Sequence, residues 1–169
     1  MIRPFGLHDI TVMRQLQKQS VPLDLRRQVL YRDAPARAAL IGYLTHHRLG
    51  PLTWLYDPSA TPGDPQAFAQ VWSVPDRSDW TLSRMAPALD EDEAAAETWR
   101  VMLHELVRQA ADYGVFRIVT RVDEGSPAEQ VLRSSGYVVT TRHELFRLRT
   151  VPELAAYPRP LRPALPQDD

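Results

Sequence analysis

Cysteine is absent from this chain of 169 residues, so disulfide bonds, thiolate nucleophiles and cysteine-ligated metal sites are excluded. The formal net charge of −1 provides no electrostatic attraction to nucleic acid or to an anionic membrane. No apolar run reaches the roughly 18 residues of a membrane span, and the opening residues lack the layout of a signal peptide. We therefore expect a cytoplasmic protein that has neither nucleic-acid nor membrane partners.

Glycine is scarce, with seven in the chain, and none lies between Asp64 and Gly114. The stretch "ALDEDEAAAETWRVML" (88–103) runs from an apolar strand into a long amphipathic helix. Many α/β enzymes bind phosphate at such a turn, where glycines let backbone N–H groups approach the anion. Here carboxylates fill positions 90–93. Each stabilises the helix N-terminus by about 0.3–1 kcal/mol, but together they would repel a phosphate.

The long helix after this turn has the clearest pattern in the sequence. Its apolar residues recur at helical spacing and form one stripe, which we expect to face the core. Gly114 is expected to end the helix. The stripe consists of Trp99, Met102, Leu103, Leu106, Val107, Ala110 and Tyr113.

The rest of the chain alternates between strand and helix patterns. Strands are expected over 1–5, 52–57, 67–74, 80–89, 115–122 and 137–149, and further helices over 8–20, 23–32, 35–50 and 126–136. Asp9 and Ser126 are expected to cap two of these helices. Helices between strands require crossover connections, so part of the sheet should be parallel. The fold class is therefore mixed α/β, with a central sheet flanked by helices.

The C-terminal region differs in composition from the remainder. Residues 151–160, "VPELAAYPRP", have the proline content of a linker. The tail that follows, 161–169, contains "LRPALPQD", which repeats the opening "IRPFGLHD" at the same spacing of Arg, Pro and Asp. One interpretation is coincidence. The other is that 161–169 is the first strand of a second copy of the domain formed by 1–150.

Three stretches carry a family resemblance: "IRPFGLHD", "MLHELVRQAADYGVFRIVTRV" and "SPAEQVLRSSGYVV". Ala110 with Gly114, then Ala128, then Gly136 with Tyr137 have the order and spacing typical of the GNAT acetyltransferase superfamily, which the chain resembles over 1–150. The resemblance implies a GNAT-like acyl-CoA N-acyltransferase fold. It also implies acetyl-CoA as cofactor and acyl transfer to an amine.

The same resemblance locates the loop that holds the cofactor's pyrophosphate in active members, which has the pattern Arg/Gln-x-x-Gly-x-Gly/Ala. Counted back from Gly114, this loop falls on "AAAETW". Ala94 then occupies the Arg/Gln position, Glu97 the first glycine and Trp99 the second. All three depart from the family pattern, so the resemblance implies a degenerate loop and makes acetyl-CoA binding doubtful.

The family's general acid is also missing. Active relatives often carry a tyrosine four residues after the alanine of the short helix, and this position is Leu132. Tyr113 and Tyr137 could donate a proton, but both fit the pattern of packed core aromatics. The catalytic residues are therefore unknown.

A third family contribution comes from the backbone of the central strand, which pairs with the pantetheine arm and the acyl carbonyl. In this chain it would come from Met85, Ala88 and Leu89, while Pro87 lacks an N–H donor. These three are the candidate cofactor-binding residues, through their backbone groups alone.

The histidines do not form a convincing site. His46 and His47 are adjacent, so on a helix they point about 100° apart and do not converge. His104 lies on the solvent side of the long helix and lacks the second histidine of a zinc-protease motif. His143 and Glu144 alternate on the expected last strand and face opposite sides. No metal site is expected.

Two hypotheses follow. The first is a degenerate GNAT-like domain without catalysis, which packs against a second GNAT-like domain or a homodimer partner. The alternative is an active acetyl-CoA-dependent N-acetyltransferase that uses atypical cofactor contacts on an unknown amine.

Overall fold

In the computed structural model, residues 2–24, 34–58, 65–73, 78–89 and 93–143 are described. Met1–Val138 form one compact unit and Val139–Asp169 a second. The described residues contain six strands: β1 (Ile2–Pro4), β2 (Val21–Pro22), β3 (Leu52–Tyr56), β4 (Ala67–Ser73), β5 (Asp79–Ala86) and β6 (Arg117–Val119). They also contain four α-helices: α1 (Ile10–Leu16), α2 (Pro35–Leu44), α3 (Glu93–Asp112) and α4 (Pro127–Ser134).

The strands form one mixed sheet in the order β1-β3-β4-β5, and β5 then has two partners along its outer edge. β6 pairs with the first part of β5 in parallel, and β2 pairs with the second part in antiparallel orientation. The pairs β1–β3, β3–β4 and β4–β5 are antiparallel. The predicted mixed α/β fold, with a partly parallel sheet, is confirmed.

Helices cover both faces of this sheet because side chains alternate along each strand. On one face, Leu55 and Phe68 pack with residues of α1 and α2, among them Met13 and Ala39. On the other, Trp54 and Leu82 belong to the larger core cluster, which includes most of the buried residues of α3 and those of α4. The result is a three-layer arrangement with the sheet in the middle.

The long helix α3 matches its predicted stripe, with two corrections. Trp99, Met102, Leu103, Leu106 and Ala110 are buried, whereas Val107 is 53% and Tyr113 58% exposed. Val107 lies about 80° from Trp99 around the helix axis, at the margin of the stripe. Tyr113 follows the last residue of the helix, and its ring packs against Trp54 and Trp80 with centroid distances of 6.5 and 5.4 Å.

Other predicted elements are shorter in the structure. The helix expected over 35–50 ends at Leu44, because the chain turns back to β3 there. In this turn His46 and His47 adopt left-handed φ angles of 48° and 64°. A Cβ on Gly42 would lie 2.3 Å from the Pro51 carbonyl oxygen, so this close approach requires glycine. The strand expected over 115–122 is confined to β6, and residues 137–143 carry no strand.

Several predictions fall on residues that the structure does not describe. These are most of the helix expected over 23–32, the turns over 59–64 and 74–77, the carboxylates at 90–92, the end of the last strand at 144–149, and both the linker and the tail over 151–169. They stay predictions.

Arg3 and Asp9 link β1 to the start of α1. The guanidinium donates two hydrogen bonds to the carboxylate, at 2.7 and 2.6 Å, and the Gly6 N–H donates a third at 2.8 Å. Asp9 stands at the helix start as predicted, but its side chain does not cap the helix. Burial alone would raise the pKa of Asp9, but the hydrogen bonds from Arg3 and Gly6 and the charge of Arg3 outweigh it and lower that pKa.

Replacing this carboxylate tests the link between β1 and α1. Asp9→Asn should lower the free energy of unfolding by about 1–3 kcal/mol, because a charge-assisted pair to a buried group is lost. A lowered pKa in the folded state means that the stabilisation is present above the ordinary value of 3.8 and is lost as the pH falls below it. The difference between wild type and variant, measured by urea unfolding, should therefore shrink in acid.

Asp112→Asn is the matched control, since Asp112 lies in an exposed pair with Arg108 at 3.7 Å. It should change stability by less than about 0.5 kcal/mol. Equal effects of the two substitutions would contradict a specific role for Asp9.

Candidate functional site

The turn between β5 and α3 lies where the family resemblance places a pyrophosphate loop. β5 ends at Ala86, Pro87 follows it, and α3 begins at Glu93. The indole N–H of Trp99 donates a hydrogen bond of 2.8 Å to the Pro87 carbonyl oxygen, and Trp99 has 0% exposure. The indole is therefore buried and binds the residue that follows β5.

The first turns of α3 carry negative side chains on their outer side. Glu93 and Glu97 are exposed, and both accept hydrogen bonds from Arg100, at 3.0 and 2.9 Å. Ala94, at the expected Arg/Gln position, is also exposed and offers no charged group. The helix N-terminus thus presents carboxylates, with a cation already engaged by them, where a phosphate would need N–H donors and positive charge.

The second part of the candidate site is the space between β5 and β6. The two strands pair in parallel from Asp79↔Arg117 to Thr81↔Val119, and this pairing then ends. Beyond that point, the segment 20–24 lies between residues 82–85 of β5 and residues 120–121 after β6. We call this space the β5–β6 cleft.

Leu23 connects the two walls of the cleft through its backbone. Its N–H donates to the Ser83 carbonyl oxygen at 2.8 Å. Its own carbonyl oxygen accepts from the Arg121 N–H at 2.9 Å and from the Thr120 hydroxyl at 3.1 Å. The Leu23 side chain is fully buried.

β5 contains a bulge at Ser83, the residue that Leu23 contacts. The register between β4 and β5 shifts at Gln70/Val71, which leaves Ser83 as an extra residue on β5. The Ser83 hydroxyl donates to the Gln70 carbonyl oxygen at 3.0 Å. The Gln70 side chain in turn donates to the Pro35 carbonyl oxygen at 2.9 Å, so the bulge is tied to α2.

The three candidate cofactor-binding residues lie at the end of β5. Met85 is buried in the strand, with Ala69 of β4 on one side and Val21 of β2 on the other. Ala88 and Leu89 follow the strand and are half-buried. A contribution from their backbone groups to cofactor binding stays a prediction.

The candidate proton donors are placed differently from one another. Leu132, at the family's tyrosine position, is buried in the core cluster. Tyr113 packs on two tryptophans at the end of α3. The Tyr137 hydroxyl is buried and has no hydrogen-bond partner among the described residues, and burial raises the pKa of Tyr137 to about 12. Such a phenol keeps its proton at neutral pH and is poorly placed for proton transfer.

The histidines remain apart in the described part of the chain. His46 and His47 are exposed in the turn after α2, His104 is exposed on α3, and Glu144 lies outside the described residues. No group of three or more potential metal ligands occurs among the described residues. None of the helices described is both long and apolar enough to cross a membrane.

Comparison with known proteins identifies the fold. No family model and no curated protein sequence matches the chain. Among solved structures, TTHA1254 from Thermus thermophilus is 19% identical with a TM-score of 0.53, covering 89% of this chain and 98% of that chain. The aminoglycoside N-acetyltransferase AAC(6')-Iy, in complex with CoA, is 13% identical with a TM-score of 0.55, covering 89% and 100%.

A third match is the ribosomal-protein-S18-alanine N-acetyltransferase from Escherichia coli. It is 15% identical with a TM-score of 0.52, covering 80% of this chain and 76% of that chain. The chain therefore has the GNAT acyl-CoA N-acyltransferase fold, as its sequence predicts. Likeness at these identities establishes the fold and leaves the activity to be argued from the site.

The sequence predicts the turn and the burial of Trp99, but it does not predict the segment 20–24 in the β5–β6 cleft. The only local signal is Pro22, because proline is compatible with an edge strand. Nothing in "SVPLD" indicates that its partner is β5, since this pairing joins residues about sixty positions apart along the chain.

Trp99→Phe tests the hydrogen bond that closes the turn. The variant keeps an aromatic ring but loses the N–H donor, which leaves the Pro87 carbonyl without it. We expect a loss of about 1–3 kcal/mol in the free energy of unfolding, measured by urea denaturation. Thr98→Ala removes an exposed hydroxyl from the neighbouring position and should cost less than about 1 kcal/mol. A Trp99→Phe variant as stable as Thr98→Ala would show that the bond is unimportant.

Tyr137→Phe tests the environment of the buried phenol. At pH 7 the variant should be at least as stable as the wild type, because it removes a buried hydroxyl that makes no hydrogen bond among the described residues. Between pH 10 and 12 the unfolded wild type ionises at Tyr137 while the folded form does not, so the wild type loses stability as the pH rises. The stability of the variant relative to the wild type should therefore increase over this pH range, as measured by unfolding followed by circular dichroism. Parallel pH profiles would contradict the raised pKa.

Proposed function

We propose that this chain is a GNAT-fold domain that does not catalyse acyl transfer and that packs against a partner domain. The observation that carries the proposal is the buried indole of Trp99, which is hydrogen-bonded to Pro87 where active relatives need glycine. Pyrophosphate binding depends on backbone N–H groups at the helix N-terminus that the anion can approach closely. The Trp99 indole is buried and bonded to Pro87 at one end of this turn, and the carboxylates of Glu93 and Glu97 oppose the anion's charge.

The packing role is supported by the repeat near the C-terminus. Arg3 and Asp9, which tie β1 to α1, recur as Arg162 and Asp168 with the same separation along the chain. A sequence that kept this pair would keep the contact that fixes the first strand of the fold. We therefore interpret 161–169 as the start of a second GNAT-like domain, which would be the partner. A homodimer is the other arrangement consistent with a packing role.

An active N-acetyltransferase remains the second candidate, because two of the matching structures are N-acetyltransferases by name and one of them is a complex with CoA. In that case the backbone groups of Met85, Ala88 and Leu89 would hold acetyl-CoA without a pyrophosphate loop. Positioning of the thioester next to the amine would then supply most of the catalysis.

Calorimetric titration with acetyl-CoA separates the two candidates. The non-catalytic proposal expects no binding heat even at millimolar ligand, because the turn lacks an anion site. Micromolar binding would contradict it and would favour the enzyme.

Restoring glycine to the turn gives a second test. The double variant Glu97→Gly, Trp99→Gly should unfold at lower urea concentration, since removing a buried tryptophan leaves a cavity costing about 3–5 kcal/mol, and it should not gain acetyl-CoA binding. Glu97→Gly alone is the matched control. It retains the indole and should lose only about 1 kcal/mol, the cost of glycine in a helix. Acetyl-CoA binding gained by the double variant would show that Trp99 and Glu97 alone block an otherwise intact site.

A further inference from the structure

The β5–β6 cleft is occupied by the chain itself. We propose that the segment 20–24 is a built-in strand that closes this cleft, so that an extended ligand such as the pantetheine arm of CoA cannot bind there. The inference deepens the proposed function and rests on it in naming CoA as the ligand that is excluded. It adds a second closure, independent of the turn at Trp99.

The backbone hydrogen bonds of the cleft are the first argument. Where β6 stops pairing with β5, the facing edge of β5 would present free N–H and C=O groups to any extended chain. In this protein β2 pairs with Arg84 and Met85, and the Leu23 N–H binds the Ser83 carbonyl oxygen. The same stretch of β5 is therefore already paired on both sides.

The residues after β6, which form the other wall of the cleft, also hydrogen-bond to the segment. The Leu23 carbonyl oxygen accepts hydrogen bonds from the Arg121 N–H and from the Thr120 hydroxyl, and the Thr120 hydroxyl also contacts the Leu82 carbonyl oxygen at 3.1 Å. One backbone that bonds to both walls fills a gap of two strand spacings, each about 4.8 Å. A second extended chain does not fit between the same walls.

Side chains hold both ends of the segment. At its start, Arg84 donates to the Ser20 hydroxyl at 3.0 Å. At its end, the buried Asp24 forms an ion pair with Arg121 at 3.5 Å. Between them, the Leu23 side chain lies in the same core cluster as Leu82. The segment is therefore part of the packed core and would have to leave it before a ligand could enter.

Amide hydrogen exchange of the intact protein, followed by NMR, tests the closure directly. The amides of Leu23 and Arg121 should exchange at least about 100-fold more slowly than exposed amides, because each donates to a buried backbone oxygen. Adding millimolar CoA should leave both rates unchanged.

Thr120→Val provides the matched perturbation, because it keeps the size of the side chain and removes the hydroxyl that binds Leu23. It should accelerate exchange at Leu23 and Arg121 by about 10-fold while the β3–β4 amides stay unchanged. Thr98→Val, whose hydroxyl binds the Ala94 carbonyl on α3, is the control and should leave both amides unaffected. Thr120→Val without any effect on these two amides would count against the bridging role of Leu23.

The outcomes separate this inference from the proposed function. Rapid exchange at Leu23 and Arg121 without CoA binding would overturn the closure and leave the non-catalytic proposal standing. Calorimetric CoA binding with both amides still protected would overturn the non-catalytic proposal and support the closure. CoA binding that accelerates exchange at Leu23 would overturn both, since the segment would then be displaced by the ligand.

Discussion

The hydrogen bond from the Trp99 indole to the Pro87 carbonyl is the interaction on which the proposed function of this domain depends. It joins the end of β5 to the first turns of α3, the two elements between which the resemblance to the GNAT superfamily places the pyrophosphate of acyl-CoA. A buried tryptophan contributes a large apolar surface to the core, and its N–H needs a partner once buried. The carbonyl at the end of β5 supplies that partner. A large side chain at position 99 stabilises the core, whereas a small one would leave the turn open. Tryptophan at this position stabilises the core.

In the β5–β6 cleft, backbone groups of the chain make the internal hydrogen bonds, as the indole does at the turn. Leu23 binds both walls, and its side chain joins the cluster that contains Trp99. Both proposed closures lie along β5, and both use groups that would be exposed if this strand bound a ligand. If the domain is non-catalytic as proposed, pairing these groups internally stabilises it, because unpaired polar groups in a buried position are costly.

The sequence predicted the fold where periodicity and local signals suffice. The spacing of apolar residues identified α3 and the burial of Trp99, and Ser126 caps α4 by accepting from the Glu129 N–H as expected. Prediction was weaker where contacts between residues far apart in the sequence determine where an element ends or what it pairs with. Tyr113 belongs to the helical stripe by spacing but lies beyond the helix end, and α2 ends before His46 because the chain must return to β3 across Gly42. The placement of Leu23 has no local signal, since it depends on pairing with strands far along the chain.

The central claim is that the turn between β5 and α3 is closed by the Trp99 indole and does not bind the cofactor. The indole N–H resonance of Trp99, assigned by its loss in Trp99→Phe, reports on this turn directly in a two-dimensional NMR titration. If the turn is closed, this signal should exchange slowly and should not change position up to millimolar acetyl-CoA. A saturable shift of that signal, or its loss as the ligand is added, would contradict the claim.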